Sequence, residues 1–252
     1  MALRNKRILI TRPQHQTEQW RRALLDAGAL VDSIPMLAIE PICSGPPLHA
    51  IKNQILDFDQ VAHAIFVSQN AVRFGFEWLW DYWPQLPQGP RYYAIGTATA
   101  RALSNQGVHC ERGANAMDSA ELLSLPGLQQ VEDQRVLVFR GCGGRTKIGA
   151  ALRERGARVD YCELYRRTLP EDAEGKLRRY RHQPDAVTVH SGETLENFAS
   201  CARLAGTRHL FAVPLICPSA RVAALARDLG FSRVIEAQNA GDTAMLAALA
   251  QL

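Results

Sequence analysis

Residues 135–168 read RVLVFRGCGGRTKIGAALRERGARVDYCELYRRT, and this stretch decides the fold class. The apolar run at 136–139 predicts a buried strand, and a glycine-rich turn follows it. A helical pattern then ends at Gly156, a residue that favours the left-handed conformation of helix ends. A second apolar strand runs on to Tyr165 and the polar residues after it. The stretch therefore predicts one strand, turn, helix, strand unit.

A similar unit occurs at the amino terminus, about 130 residues earlier in the chain. There residues 8–10 form the strand, Thr11-Arg12-Pro13 the turn, and a helical stripe ends at Gly28. Two further pairs of segments keep nearly the same spacing. They are AIFVSQNAV at 64–72 with AVTVHSGET at 186–194, and DSAELL at 118–123 with DTAMLA at 242–247. We therefore predict a duplicated half of about 120 residues.

Composition limits the class of protein. A chain of 252 residues can bury one large core or two small ones, and the repeat favours two. A hydrophobic content of 47% with 21% charged residues is ordinary for a globular protein and excludes disordered and fibrous classes. No apolar run approaches the ~18 residues of a membrane helix, and residues 1–6 lack the apolar core of a signal peptide. We expect a cytoplasmic protein that does not bind membranes.

Cysteine, histidine and charge content narrow the ligand class. The six cysteines and seven histidines show no metal-binding spacing, so we expect buried reduced thiols and no metal site. The net charge of +4, from 29 basic and 25 acidic residues, is mild. Nucleic-acid binding would need a dense basic stripe, which the sequence lacks. The charge suits an anionic small molecule.

Strands alternate with helices of about ten residues, which predicts right-handed βαβ units and parallel sheets. The predicted fold class is α/β, with two similar, small, doubly wound domains. Ligands of such sheets bind beyond the carboxyl ends of the strands. The turns at these ends carry hydroxylated, glycine, proline or arginine residues: Thr11, Arg12, Ser68, Gly96, Thr97, Arg140, Gly141, Gly143, Arg145, Ser191, Pro218 and Ser219.

These turns suit an anionic ligand, because free backbone N–H groups at helix starts bind anions. Serine and threonine also cap helices in every class of protein, so capping alone explains each single position. Six such turns with nearby arginines favour the anionic ligand.

The glycine loop resembles nucleotide motifs only in part. The sequence GCGGRT at 141–146 begins like G-x-G-x-x-G, but Thr146 replaces the third glycine. The order Gly144-Arg145-Thr146-Lys147 also differs from a Walker A loop. His190 precedes Ser191, but the sequence around them shows no distinct acidic residue to orient the imidazole, so no catalytic triad is predicted. An enzyme built from these residues would act through positioning and backbone donors.

Six segments in this order and spacing resemble one family. They are ILITRP at 8–13, FVSQNAV at 66–72, YYAIGTATARAL at 92–103, RGCGGR at 140–145, ELYRRT at 163–168 and CPSARVAALARDLGF at 217–231. Together with the duplication, they resemble the uroporphyrinogen-III synthase family over essentially the whole chain.

The resemblance implies a fold and an activity. It implies two flavodoxin-like domains, 1–36 with 169–252 and 43–162, joined by a two-stranded antiparallel linker, 37–42 and 163–168. The implied reaction cyclises the linear tetrapyrrole hydroxymethylbilane to uroporphyrinogen III, with loss of water and inversion of the last ring through a spiro intermediate. The resemblance further implies a monomer that uses neither a metal nor an organic cofactor.

The resemblance also implies roles for residues. Tyr165 matches the linker tyrosine whose phenol assists departure of the substrate hydroxyl, although an aromatic plug in the hinge would explain it too. The turn residues given above would hold the acetate and propionate arms. Ala220 departs from relatives that carry a second hydroxyl there, which favours backbone donors at that turn. The alternatives are a two-domain binding or sensor protein that closes on an anionic small molecule, and then a nucleotide enzyme or glycosyltransferase.

Overall fold

The computed structural model describes residues 3–112, 119–144 and 146–252. Asp118, which begins one of the repeated segments, and the loop residue Arg145 lie outside these residues. The chain forms two compact units. Unit 1 comprises Met1–Ile39 and Thr168–Leu252, and unit 2 comprises Glu40–Arg167.

Strands and helices alternate along the described residues. The strands are β1 (Arg7–Ile10), β2 (Leu30–Ser33), β3 (Ala38–Pro41), β4 (His63–Phe66), β5 (Arg91–Ala94), β6 (Glu111–Arg112), β7 (Arg135–Gly141), β8 (Arg158–Thr168), β9 (Ala186–Thr188), β10 (Leu215–Cys217) and β11 (Val234–Glu236). The α-helices are α1 (Thr17–Asp26), α2 (Gly45–Leu56), α3 (Gln69–Tyr82), α4 (Thr97–Asn105), α5 (Ser119–Ser124), α6 (Lys147–Glu154), α7 (Ala173–Arg179), α8 (Gly192–Leu204), α9 (Ala220–Asp228) and α10 (Asp242–Leu249).

Unit 1 contains a five-stranded sheet in the order β11-β10-β9-β1-β2. The four neighbouring pairs are parallel. Ile8, Leu9 and Ile10 of β1 are all buried, because helices cover both faces of a parallel sheet and leave neither face for polar side chains. Numbered along the unit, the strand order is 2-1-3-4-5, the order of flavodoxin-like sheets.

Unit 2 contains a six-stranded sheet in the order β3-β8-β7-β4-β5-β6. The strands from β8 to β6 in this order pair in parallel. When β7 and β8 are counted first, these five strands again follow the order 2-1-3-4-5. The predicted α/β class with two parallel-sheet domains is therefore confirmed.

Each sheet combines strands from both sequence repeats. In unit 1, β1 and β2 of the first repeat lie beside β9, β10 and β11 of the second. In unit 2, β7 and β8 of the second repeat lie beside β4, β5 and β6 of the first. The two repeats thus exchange their first two strands, and each unit depends on both halves of the sequence.

The predicted linker segments lie at β3 and in β8. β8 is one continuous strand of 11 residues, and residues 163–168 form its carboxyl-terminal part. β3 is the neighbour of β8 in the sheet, and the Ile42 amide donates to the Leu164 carbonyl over 2.9 Å. The role of 37–42 and 163–168 as an interdomain linker stays a prediction, as do the predicted domain limits.

Aromatic stacking joins the central strands of unit 2. Phe66 of β4 and Phe139 of β7 are register partners, and their ring centroids lie 4.3 Å apart with an interplanar angle of 2°. Phe76 of α3 packs on Phe66 with centroids 5.6 Å apart. These fully buried rings fill the space between the sheet and α3. If one ring were removed, water would not fill the apolar cavity left behind.

We expect Phe139→Ala to lower the free energy of unfolding by about 3–5 kcal/mol, because it removes a buried ring and leaves a cavity between β7 and α3. Urea denaturation followed by circular dichroism measures the loss. Phe139→Leu keeps most of the apolar volume and should cost less than half as much. A loss below about 1 kcal/mol for the alanine variant would contradict the packing described here.

Candidate active site

The predicted ligand residues of unit 1 lie beyond the carboxyl ends of its strands. Thr11 and Arg12 follow β1, Ser191 follows the end of β9, and Pro218 and Ser219 follow β10. Since β1, β9 and β10 are parallel neighbours, their carboxyl ends lie at one edge of the sheet. The structure therefore brings these five residues to a common edge.

Thr11 connects two strands rather than presenting its hydroxyl to solvent. Its side chain is fully buried, and its Oγ1 donates to the Thr188 carbonyl over 2.8 Å. Its own carbonyl accepts from the Met36 amide over 3.0 Å. The first bond joins the ends of β1 and β9, and the second joins β1 to the segment after β2. Any role of Thr11 in ligand binding would therefore be indirect, through the position of the neighbouring residues of the turn.

Arg12 is held by an ion pair at the same edge. Its Nη1 lies 2.8 Å from Oδ1 of Asp242, the first residue of α10, and both side chains are 19% exposed. The carboxylate also lies where the helix dipole favours negative charge. The buried Nε of Arg12 has no hydrogen-bond partner within the described part of the chain. One donor of the guanidinium is therefore left unused.

His190 lies beside Arg12, and its imidazole is half-buried with both ring nitrogens out of contact with solvent. Among the described residues, neither ring nitrogen has a hydrogen-bond partner, although both atoms are buried. The ring packs edge-on against Trp20, with centroids 5.6 Å apart. Burial, with a smaller contribution from the charge of Arg12, lowers the pKa of His190 to about 3. The imidazole is therefore neutral at pH 7, with one donor and one acceptor unpaired.

Two serines of unit 1 begin helices, and they differ in how the hydroxyl is used. Ser191 Oγ accepts from the Thr194 amide over 3.1 Å and lies 2.8 Å from Thr194 Oγ1. Ser219 occupies the same position before α9 and makes no side-chain capping bond. The α9 turn, with Pro218 before it, thus offers backbone donors that the serine does not cap.

In unit 2, a bulge directs Tyr165. Arg140 of β7 stands opposite Glu163 of β8, whereas the next residue, Gly141, stands opposite Tyr165. Leu164 is therefore the extra residue, and a bulge of this kind changes the direction of the side chains that follow it. The Tyr165 ring lies against Gly141, where an added Cβ would be 2.6 Å from ring atom Cε2. A glycine is required at 141 for this close approach.

The phenol of Tyr165 is held by residues of a third element, α3. Its Oη lies 2.9 Å from Oγ of Ser68, the residue before α3. Its ring stacks on Phe74 with centroids 5.4 Å apart. The side chain is only 5% exposed. The structure therefore brings Ser68, Gly141 and Tyr165, all predicted from sequence, into one contact group.

Gly96 and Thr97 begin α4 at the same edge of the sheet. Gly96 has φ +80°, a conformation that side-chain-bearing residues rarely adopt. Thr97 Oγ1 accepts a hydrogen bond of 3.2 Å from Nη1 of Arg112. A cavity of about 530 Å³ adjoins this turn, and its lining includes Arg101 and Arg112.

This cavity has an electropositive lining that the sequence analysis missed. Among the described residues that line it, the charged side chains are Arg101 and Arg112, and none is acidic. Arg101 could have been found, because it lies one helical turn after Thr97 and so shares its face. Arg112 belongs to the short strand β6, and no local sequence pattern relates it to Thr97.

Arg140 makes its contacts inside unit 2. Its side chain is 4% exposed, its Nε donates to the Gly141 carbonyl over 3.2 Å, and the same Nε lies 3.6 Å from Glu163 Oε1. Its guanidinium carbon also lies 4.7 Å from the ring centroid of Tyr161. These contacts fix the start of the loop in which Gly143 lies. Arg140 therefore supports the loop beside Tyr165.

A family model described as "Uroporphyrinogen-III synthase HemD" matches residues 18–247. The chain belongs to the uroporphyrinogen-III synthase family. The chain is 33% identical over 246 residues to the uroporphyrinogen-III synthase of Salmonella typhimurium, with 96% of this chain and 99% of the relative covered. It is 34% identical over 249 residues to that of Escherichia coli, with the same coverage of both chains.

Solved structures of uroporphyrinogen-III synthases share the fold. A mutant enzyme from the extreme thermophile Thermus thermophilus superposes with a TM-score of 0.61 at 18% identity, covering 98% of this chain and 100% of that one. The enzyme from Helicobacter pylori gives a TM-score of 0.58 at 15% identity, covering 99% and 100%. The two-sheet architecture is thus common to members of the family whose sequences have diverged widely.

Metal binding by this synthase-family chain would depend on its histidine, cysteine and acidic side chains, and burial acts on the thiols of Cys162 and Cys217. No group of three or more histidine, cysteine or acidic side chains within residues 3–112, 119–144 and 146–252 could hold a metal ion. Burial raises the pKa of the Cys162 thiol, and that of Cys217 to about 12. Cys43 is exposed, so the expected burial does not hold for every cysteine.

No described helix is long and apolar enough to cross a bilayer.

We expect His190 to make the chain less stable in acid. The unfolded chain takes up a proton at the ordinary imidazole pKa, whereas the folded chain does so only near pH 3. The free energy of unfolding therefore falls as the pH drops below the ordinary value. His190→Phe keeps the ring against Trp20 and removes this loss. Its stability relative to the parent should rise by up to about 1.4 kcal/mol for each pH unit from about pH 6 to 4.

Urea unfolding of both proteins at several pH values in this range measures the effect. The comparison of the two curves removes contributions from other groups that titrate in acid. Curves that run parallel over the whole range would contradict the assignment to His190.

Proposed function

We propose that the chain is a uroporphyrinogen-III synthase that acts in tetrapyrrole (haem) biosynthesis. In this reaction the enzyme cyclises hydroxymethylbilane to uroporphyrinogen III, with loss of water and inversion of ring D. Membership of the family, over residues 18–247, is the observation that carries the proposal. The contact group around Tyr165 supports it, because that group places a phenol at the ligand-binding edge of a parallel sheet.

The chemistry begins with loss of the hydroxyl from the methylene carbon of the first ring. The C–O electron pair leaves with the oxygen, and the pyrrole nitrogen stabilises the resulting azafulvenium cation. The substituted carbon of ring D attacks this cation and gives a spiro intermediate. That intermediate fragments and closes again at the free carbon, so that ring D is inverted.

The protein's main task in this reaction is to choose between two closures. Without guidance, the cation closes head to tail and gives the uninverted isomer. A hundredfold preference for the spiro route needs about 3 kcal/mol of differential transition-state binding. Positioned backbone donors and a few side chains can supply that amount. The reaction therefore needs a shaped site more than a strong nucleophile.

Tyr165 is the proposed acid for the first step. A phenol can donate a proton or a hydrogen bond to the departing hydroxyl. The Gly141 contact and the stack on Phe74 leave the ring little freedom, so its Oη has a defined position. Such fixation reduces the entropy lost when the reacting groups meet.

The proposed binding groups are the turns at the carboxyl edges of the two sheets. The substrate carries eight carboxylates, which match helix starts, hydroxyls and guanidinium groups. In unit 1 these are the turns at Thr11-Arg12, Ser191 and Pro218-Ser219. In unit 2 they are the turns at Ser68 and Gly96-Thr97, and the loop with Arg140, Gly141, Gly143 and Arg145.

We also propose that the enzyme works as a cytoplasmic monomer without a cofactor. Its bacterial relatives of the same family support the cellular location. The reaction as written is a dehydration and ring closure. It involves no net oxidation or reduction, and its first step needs only an acid.

The isomer ratio of the product tests the proposal. Purified protein supplied with hydroxymethylbilane and no cofactor should give mainly the III isomer, which chromatography of the oxidised porphyrins separates from isomer I. A protein that only bound the tetrapyrrole would leave isomer I as the product. Product that was entirely isomer I would therefore overturn the assignment and favour a binding or sensor function.

We expect Arg101→Gln and Arg112→Gln to raise KM, because each removes a cation from the cavity beside Thr97. Loss of one exposed carboxylate contact should raise KM about threefold to tenfold. The increase should shrink at high salt, which screens the parent's contacts. Arg22→Gln changes an exposed arginine of α1 and should leave KM unaltered. Unaltered KM in both cavity variants would exclude this cavity from substrate binding.

A further inference from the structure

Ser68 makes two contacts through one oxygen. Its Oγ accepts from the Ala71 amide over 3.1 Å and so caps the start of α3. The same oxygen lies 2.9 Å from Oη of Tyr165. A serine hydroxyl has one donor and two acceptor sites, and the Ala71 amide occupies one acceptor site. The donor and the second acceptor site remain for Tyr165.

We infer that Ser68 is a positioning residue for Tyr165, and that its hydroxyl donates to the phenolic oxygen. The inference rests on the proposed function. In the opposite arrangement, Tyr165 would donate to Ser68 and its only proton would point away from the substrate. With Ser68 as the donor, the phenolic proton stays free for the departing hydroxyl. The cap thus sets both the position of Oη and the direction of its proton.

The remaining contacts of Tyr165 also restrict the position of its side chain and backbone. Ser68 caps α3 and Phe74 lies in the second turn of the same helix, so one helix fixes the phenolic oxygen and one ring face. Gly141 of β7 approaches the ring from another element. The Cys142 amide donates to the Tyr165 carbonyl over 2.7 Å and fixes the backbone as well. Little freedom is left except rotation of the phenolic proton, which Ser68 controls.

The proton balance of the step follows from this arrangement. Tyr165 gives its phenolic proton to the departing hydroxyl, which leaves as water with the C–O electron pair. The phenolate that remains accepts the Ser68 hydrogen bond, and the positive end of α3 favours its charge. Ring closure later releases one proton from the carbon at which ring D closes. That proton returns to the phenolate and restores the starting state.

The second repeat shows what the cap does without a tyrosine. Ser191 caps α8 in unit 1 through the Thr194 amide, also over 3.1 Å. Its other partner is Thr194 Oγ1, at 2.8 Å. Each serine is the residue before a helix, although Ser191 lies one position later than Ser68 when the segments VSQN and VHSG are aligned. The cap is therefore common to both repeats, whereas the contact with a phenol belongs to Ser68.

A double-mutant cycle tests the inference. Ser68→Ala, Tyr165→Phe and the double variant are assayed for kcat, KM and isomer ratio. Loss of one hydrogen bond to the acid should lower kcat about fivefold to tenfold in Ser68→Ala, with a smaller change in KM. Tyr165→Phe should lower kcat at least as much. The double variant should equal Tyr165→Phe, because Ser68 then has no phenol to direct.

Two replacements separate positioning from capping. Ser68→Asp keeps a good helix cap, but its carboxylate only accepts hydrogen bonds and would draw the phenolic proton towards itself. It should keep the parent's stability and yet have the low kcat of Ser68→Ala. Ser68→Thr keeps both donor and acceptor and should restore most of kcat. Urea denaturation of Ser68→Ala and Ser68→Asp measures how much stability the helix cap contributes.

The outcomes distinguish this inference from the proposed function. A parent protein that gives no isomer III overturns the function itself. An active parent with additive losses in the double variant, or with kcat restored by Ser68→Asp, overturns only the role of Ser68.

Discussion

The parallel pairing of β4 with β7 is the interaction on which the candidate site of unit 2 depends. These strands belong to different sequence repeats, and their register sets Phe66 against Phe139. Because both strands end at the same edge, the turn after β4 lies beside the loop after β7. Ser68 therefore comes within reach of a tyrosine carried by β8, the other neighbour of β7. A change of register by one residue would separate these groups.

Most polar groups at the two edges are already bonded within the protein. Thr11, Ser191 and Arg140 use their side chains to hold strands, helices and loops in place. This leaves backbone donors at the helix starts to meet a ligand. His190 and Arg12 differ from these residues, since buried nitrogens of both have no partner in the described chain. Such groups raise the energy of the folded state.

The features of the fold that depend on local periodicity could be predicted from the sequence. Alternating apolar strands and helices that end in glycine gave the α/β class, and the repeat gave two sheets. The bulge at Leu164 could not be predicted, because it depends on the pairing of β7 with β8. Arg112 was missed for a similar reason, since only the sheet brings it to Thr97. The lack of hydrogen-bond partners for the ring nitrogens of His190 could not be predicted either, because the ring packs against Trp20, which is distant in sequence.

The exchange of strands between repeats also governs the order in which the chain can fold during synthesis. Unit 2 is continuous in sequence, so its strands can pair as soon as β8 has emerged. β1 and β2 emerge first, yet β9 follows only about 150 residues later, on the order of 10 s at ordinary translation rates. Until then Ile8, Leu9 and Ile10 lack a neighbour on one side. The amino-terminal strands thus remain without their full set of sheet neighbours until most of the chain has been made.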